Sequence, residues 1–162
     1  MKNKKILLII LSIILLIDQL SKIIILNTIN EIKVIIPKLL EIEVIKNIGI
    51  AFGLNDGNLK NIFITMIILI IIINFIIKQQ NNIDKKMTIA LSLILGGGIS
   101  NLIDRIIRGG IIDFIKVSTF PIFNIADISI VIGWILLIIC VVNFGINKEM
   151  EEVKKWAKEL RY

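Results

Sequence analysis

Four long apolar runs separated by polar intervals organise this chain of 162 residues. They cover residues 6–26, 61–77, 87–103 and 128–147. A bilayer core of about 30 Å takes about 20 helical residues, so each run predicts a transmembrane helix. The second and third runs are 17 residues long, and their ends are expected to continue into the polar flanks. The loop 27–60 carries a different rhythm. In "LLEIEVIKN" (39–47), Glu41 and Glu43 alternate with Ile42 and Val44, the period-two pattern of a half-buried strand. "EIKVIIP" (31–37) and residues 110–123 are also strand-prone, with Pro121 ending the latter before the last helix, and "GLNDGN" (53–58) reads as a turn. The fold class predicted is an α-helical integral membrane protein, one domain over residues 1–162, with a small extracytoplasmic β-sheet built from loops 27–60 and 104–127. The tail 148–162 reads as a mixed-charge helix lying along the cytoplasmic surface, with Trp156 and Tyr162 at the interface.

Basic residues orient the spans. Lys and Arg occupy eleven of the 29 positions in 1–5, 78–86 and 148–162, but only seven of the 58 positions in 27–60 and 104–127. The excess predicts an N-in/C-in topology with both long loops outside. The opening "MKNKKILLIILSIILL" has the shape of a signal peptide. However, no small-x-small site follows, and Asp18 and Lys22 interrupt the apolar run, so it reads as an uncleaved first span.

Composition narrows the chemistry. The chain is 56% hydrophobic with mean hydropathy +0.91, well above a soluble domain. Its net charge of +6 sits at the edges of the apolar runs, which suits a membrane lipid surface and not nucleic acid. There is no histidine and a single cysteine, Cys140, inside the last run. Disulfides, Cys/His zinc sites, Ser-His-Asp triads and Cys-His pairs are thereby excluded. Catalysis would have to use Asp, Glu, Lys, Ser, Thr, Asn or Tyr.

Ionisable groups in or beside a span are expensive and need a named partner. Asp18 and Lys22 are spaced i,i+4 and can pair, either as a structural ion pair with Lys22 snorkelling outward or as part of a buried polar site. Asp104, near the end of the third helix, faces an unfavourable macrodipole and is expected to pair with arginine or Asn101. Asn124 and Asp127 match a helix-capping pattern. Asp113, in the apolar "GGIIDF", has no such local explanation. Short connections can bring it beside Asp127, and two carboxylates sharing a proton can activate water and protonate a leaving amine.

These stretches also resemble a known family. "DQLSK" (18–22), "NIGIAFG" (47–53), "GGGISNLIDRIIRGGIIDF" (96–114) and "FNIAD" (123–127) are similar, in order and spacing, to the motifs of lipoprotein signal peptidase, the bacterial signal peptidase II. Ser100 stands where many members have glycine. The resemblance implies an aspartic endopeptidase of the bacterial cytoplasmic (inner) membrane, with its active site at the outer face. It implies cleavage of prolipoproteins just before a diacylglyceryl-modified cysteine. Asp113 and Asp127 match the catalytic pair. Asn47, Gly49, Asn101, Asp104, Arg105, Asn124, Asp18 and Lys22 match substrate-binding or supporting positions. No metal or organic cofactor is implied, and a monomer is expected. Asn47 and Gly49 are expected to grip substrate without altering the aspartates. The last expectation is that Asp113 holds the shared proton while Asp127, at the helix N terminus, is ionised. The alternative is a small four-span transporter or proton-conducting subunit, which would place its acids near mid-membrane.

Overall fold

The computed structural model describes residues 3–49 and 58–159. Among the described residues, four helices and three strands follow in the order α1 (Lys4–Thr28), β1 (Lys33–Ile36), β2 (Leu40–Asn47), α2 (Asn58–Lys78), α3 (Lys85–Ile107), β3 (Ile111–Val117) and α4 (Ile125–Glu159). Both short apolar runs lengthen into their flanks, as expected. The turn read at 53–58 falls largely outside the described residues.

Burial is inverted relative to a water-soluble protein. Lys22, Asn61, Asn124, Asp18, Asp104 and Asp113 are among the largest fully buried side chains, whereas Leu16, Ile71 and Ile138 are about 60% exposed. Only an apolar surround makes that arrangement favourable, since exposed leucine and isoleucine cost nothing in lipid while polar groups must find partners inside. The chain is a multi-pass membrane protein by length, composition and burial together.

α3 is the central post. Three consecutive glycines, spaced about 100° apart around the helix, each open it to a different neighbour. A Cβ on Gly96 would lie 3.0 Å from Ile14 of α1, one on Gly98 would lie 2.9 Å from Leu69 of α2, and one on Gly97 would collide with the Ala126 carbonyl of α4. Close backbone approach through small residues is how helices pack where lipid removes the hydrophobic drive. Four leucines and isoleucines, Leu69, Ile76, Leu91 and Leu95, fill the α2–α3 contact.

The sheet is antiparallel in the order β1-β2-β3, so β3 is an edge strand. Glu41 and Glu43 of β2 share Lys116 of β3 at 3.2 and 2.6 Å, a half-buried, water-accessible cluster that fixes register more than it stabilises. At the end of α3, Gly109 adopts φ +71° just past the C-cap Arg108, the left-handed stop that glycine supplies without strain. That turn delivers the chain into β3.

The tail differs from expectation. It does not turn aside to lie on the surface as a separate helix but continues α4 unbroken to Glu159. Lys148 ends the apolar run, yet lysine and glutamate are good helix formers, so charge stops the span without stopping the helix.

Candidate active site

The two nominated aspartates come from different elements and meet at one side chain. Asn124 caps α4: its Oδ1 accepts from the Asp127 N–H at 2.9 Å, and its own N–H donates to Asp127 Oδ2 at 3.2 Å. This reciprocal pair is a capping box with aspartate as the acid. The remaining amide of Asn124 reaches sideways, Nδ2 donating to Asp113 Oδ1 at 2.7 Å. Asn101 of α3 supports the other face, Nδ2 donating to Asp127 Oδ1 at 2.8 Å while its Oδ1 accepts from Asn124 Nδ2 at 3.2 Å. One asparagine thus ties both carboxylates, and a second locks the first.

Asn47, the last residue of β2, donates from Nδ2 to Asp113 Oδ2 at 3.0 Å, and its Oδ1 accepts from the Gly49 N–H at 3.0 Å. The second bond fixes which end of the amide faces the aspartate. This corrects the sequence expectation: Asn47 touches Asp113 itself and so cannot act on substrate alone. Burial pushes the Asp113 carboxyl up to about 6; donation from Asn47 opposes this, the Asp127 charge adds to it, and Asn124 and Lys22 oppose it.

A cavity of about 590 Å³ opens beside the pair. Asn47, Gly49, Asn101, Arg105, Asp113 and Asp127 line its polar end, and Ile68, Ile72, Ile130 and Trp134 line its apolar extension between α2, α3 and α4. Arg105 donates to Thr65 Oγ1 at 3.4 Å and its charge acts on both aspartates. A polar mouth on an apolar slot suits a substrate with a long hydrocarbon or apolar helical portion and one reactive polar bond. Among the described residues, no group of three Asp, Glu, Cys or His side chains could hold a metal ion.

The other nominated residues stand behind this wall. Lys22 Nζ pairs with Asp18 Oδ2 at 2.6 Å and Asp104 Oδ2 at 2.7 Å, and it also donates to Asn101 Oδ1 at 3.2 Å. Snorkelling is therefore overturned: Lys22 and Asp18 are both wholly buried, because Gly96 brings α1 close enough to α3 for the ammonium to find acceptors inside. Asp104 was expected to pair with arginine or Asn101. It pairs with Arg108, one turn on, and with Lys22. Gln19 escaped notice, and Ser100 was noted only for standing in place of glycine. Gln19 donates to Asp104 Oδ1 at 3.1 Å and Ser100 Oγ at 2.9 Å, and accepts from Arg108 at 2.8 Å. Ser100 donates to Asp18 Oδ2 at 2.7 Å, so the serine in place of glycine adds a bond. A glutamine beside Asp18 inside an apolar run was the available signal for Gln19.

The family model for signal peptidase (SPase) II matches residues 10–143, most of the chain and every site residue above. This chain belongs to the signal peptidase II family. It is 43% identical over 145 residues to the lipoprotein signal peptidases of Staphylococcus aureus strains JH9 and Newman, covering 85% of this chain and 88% of each relative. Two solved bacterial membrane enzymes, determined by the in meso method at 2.3 and 1.9 Å, share its fold. The first superposes with TM-score 0.80 at 38% identity over 89% of this chain and 92% of its own, and the second with TM-score 0.74 at 38% identity over 85% and 92%. Signal peptidase II membership makes the chain a peptidase and gives the transporter reading no support. The acids agree with that, since Asp18 and Asp104 are tied up with Lys22.

Proposed function

We propose that this chain is an aspartic endopeptidase of the bacterial cytoplasmic membrane that removes signal peptides from prolipoproteins. It cuts just before the diacylglyceryl-modified cysteine, as a monomer, with N and C termini inside and the active site at the outer face. The observation that carries the reading is the pair Asp113 and Asp127, joined through Asn124 at the mouth of a largely apolar cavity.

In the proposed reaction the dyad holds one proton, mainly on Asp113, whose buried strand position favours the neutral form. Asp127, at the third position of α4 with donors to both oxygens, keeps the negative charge. A water between them loses its proton to Asp127 and attacks the scissile carbonyl. Asp113 donates to the departing amide nitrogen, and Asp127 returns its proton to the pair. Arg105, lining the same cavity, faces the carbonyl oxygen as charge develops there. The signal helix and the lipid chains occupy the slot between α2 and α4.

The test uses purified protein with a prolipoprotein peptide, either diacylglycerylated or unmodified at cysteine, and mass spectrometry of the products. The expected product is a new N-terminal lipid-modified cysteine from the first substrate only. Equal cleavage of both, or a cut elsewhere, would overturn the assignment of substrate.

A further inference from the structure

Two backbone amides adjoining the dyad are held by buried carboxylates rather than by regular secondary structure. The Ala126 N–H, one residue before Asp127, donates to Asp18 Oδ1 at 2.8 Å. The Ile112 N–H, one residue before Asp113 on the open edge of β3, donates to Asp104 Oδ2 at 3.2 Å. Asp18 and Asp104 are in turn joined by a single ammonium, that of Lys22. A continuous line of contacts therefore runs from the Ala126 amide, beside Asp127, through Asp18, Lys22 and Asp104 to the Ile112 amide, beside Asp113. It runs beside the side-chain route through Asn124 and meets it at Asn101 Oδ1.

We infer that Lys22 is a positioning residue whose bridge between Asp18 and Asp104 sets the separation of the two aspartates by holding the backbone beside each. The inference rests on the proposed dyad and adds to it. Three features favour positioning over simple charge balance. All three groups are wholly buried, so their geometry is not loosened by water. Each carboxylate spends an oxygen on a main-chain N–H beside the dyad, the free amide at the start of α4 in one case and a sheet-edge amide in the other. The same ammonium also donates to Asn101 Oδ1, and so directs the Asn101 amide toward Asp127. Charge balance alone would be met by Asp104 with Arg108 and by Asp18 with Lys22, without any link between the halves.

Three variants separate these roles. Lys22→Met leaves Asp18 as an unpaired buried charge, and a lowered melting temperature is expected. Asp18→Asn with Lys22→Met removes a balanced pair, while the asparagine carbonyl still accepts the Ala126 N–H and Asp104 keeps Arg108. Asp113→Asn serves as the dyad control. For the double variant the expected result is a melting temperature restored close to wild type, with kcat still down about 100-fold and KM within about threefold. A displacement near 1 Å at the reacting groups has an effect of that order. Amide exchange at Ile112 and Ala126 should accelerate in the same protein. A double variant that recovers wild-type kcat would overturn the inference and leave charge balance. Failure of the double variant to fold would also overturn it, since the pair would then be needed for folding itself. Activity retained by Asp113→Asn would instead strike at the dyad and not at Lys22.

Discussion

Asn47→Ala removes the Nδ2–H that reaches Asp113 Oδ2 at 3.0 Å. That donor stabilises the ionised form, so its loss raises the Asp113 pKa further above the value of about 6 that burial already imposes. A hydrogen bond to a charged group contributes about 1.5–3 kcal/mol. Water entering from the open cavity will replace part of it, leaving about 1–1.5 kcal/mol, or about one pKa unit. Asp113 is the protonated member of the active pair, so activity is lost when it ionises. The alkaline limb of kcat/KM, which reports the free enzyme, should therefore move from near pH 6 up by about one unit. The groups acting on Asp113 are Asn47, Asp127, Asn124, Lys22 and Arg105, and all but the first stay in place. Cleavage of a lipid-modified fluorogenic peptide across pH 4–9 reads the shift. An unmoved limb with only a raised KM would restore the simpler substrate-grip role. An acid limb that moves up instead would mean that Asp113 works as the base.

Further outcomes follow from the same geometry. Gly97→Ala should lower both melting temperature and activity, because its Cβ would meet the Ala126 carbonyl and push the start of α4, with Asp127, away from α3; circular dichroism and turnover check it. Wild-type stability in that variant would mean the helices can separate without cost. Asp113 also couples stability to pH: its folded value of about 6 lies above that of an unfolded aspartate, about 3.9, so its contribution is present below pH 4 and lost as pH rises to 6. Discounted for cavity water, the loss is about 2 kcal/mol. Thermal unfolding of wild type should show this slope and Asp113→Asn should lack it; parallel curves would refute it. Gly49→Val should weaken processing, since the Gly49 N–H holds the Asn47 amide and a branched side chain would crowd the cavity rim; normal turnover would remove that role.

Much of this molecule was legible in the sequence because its cues are local. Apolar run length gave the spans, the alternation around Glu41 and Glu43 gave β2, and Asn124 three residues before Asp127 gave the cap. Asp113 stood out by lacking any local reason to exist. What escaped depends on distant partners. Lys22 could not be assigned between the interface and a buried polar site because a lone helix offers it only Asp18. The contact that buries it, Asp104, arrives from α3 through the Gly96 approach. Asn47 was read as a substrate contact because nothing in its own stretch reveals Asp113, 66 positions away. The tail was read as a helix, but nothing local told that it continues α4 without a break.

The most direct measurement is turnover of a diacylglyceryl-modified prolipoprotein by purified wild type, Asp113→Asn and Asp127→Asn, each first shown to be folded by melting temperature. With one carboxylate gone the remaining acid cannot serve as both base and proton donor, so each variant should fall at least about 1,000-fold. Either variant folded and retaining a tenth or more of wild-type turnover would contradict the two-aspartate mechanism.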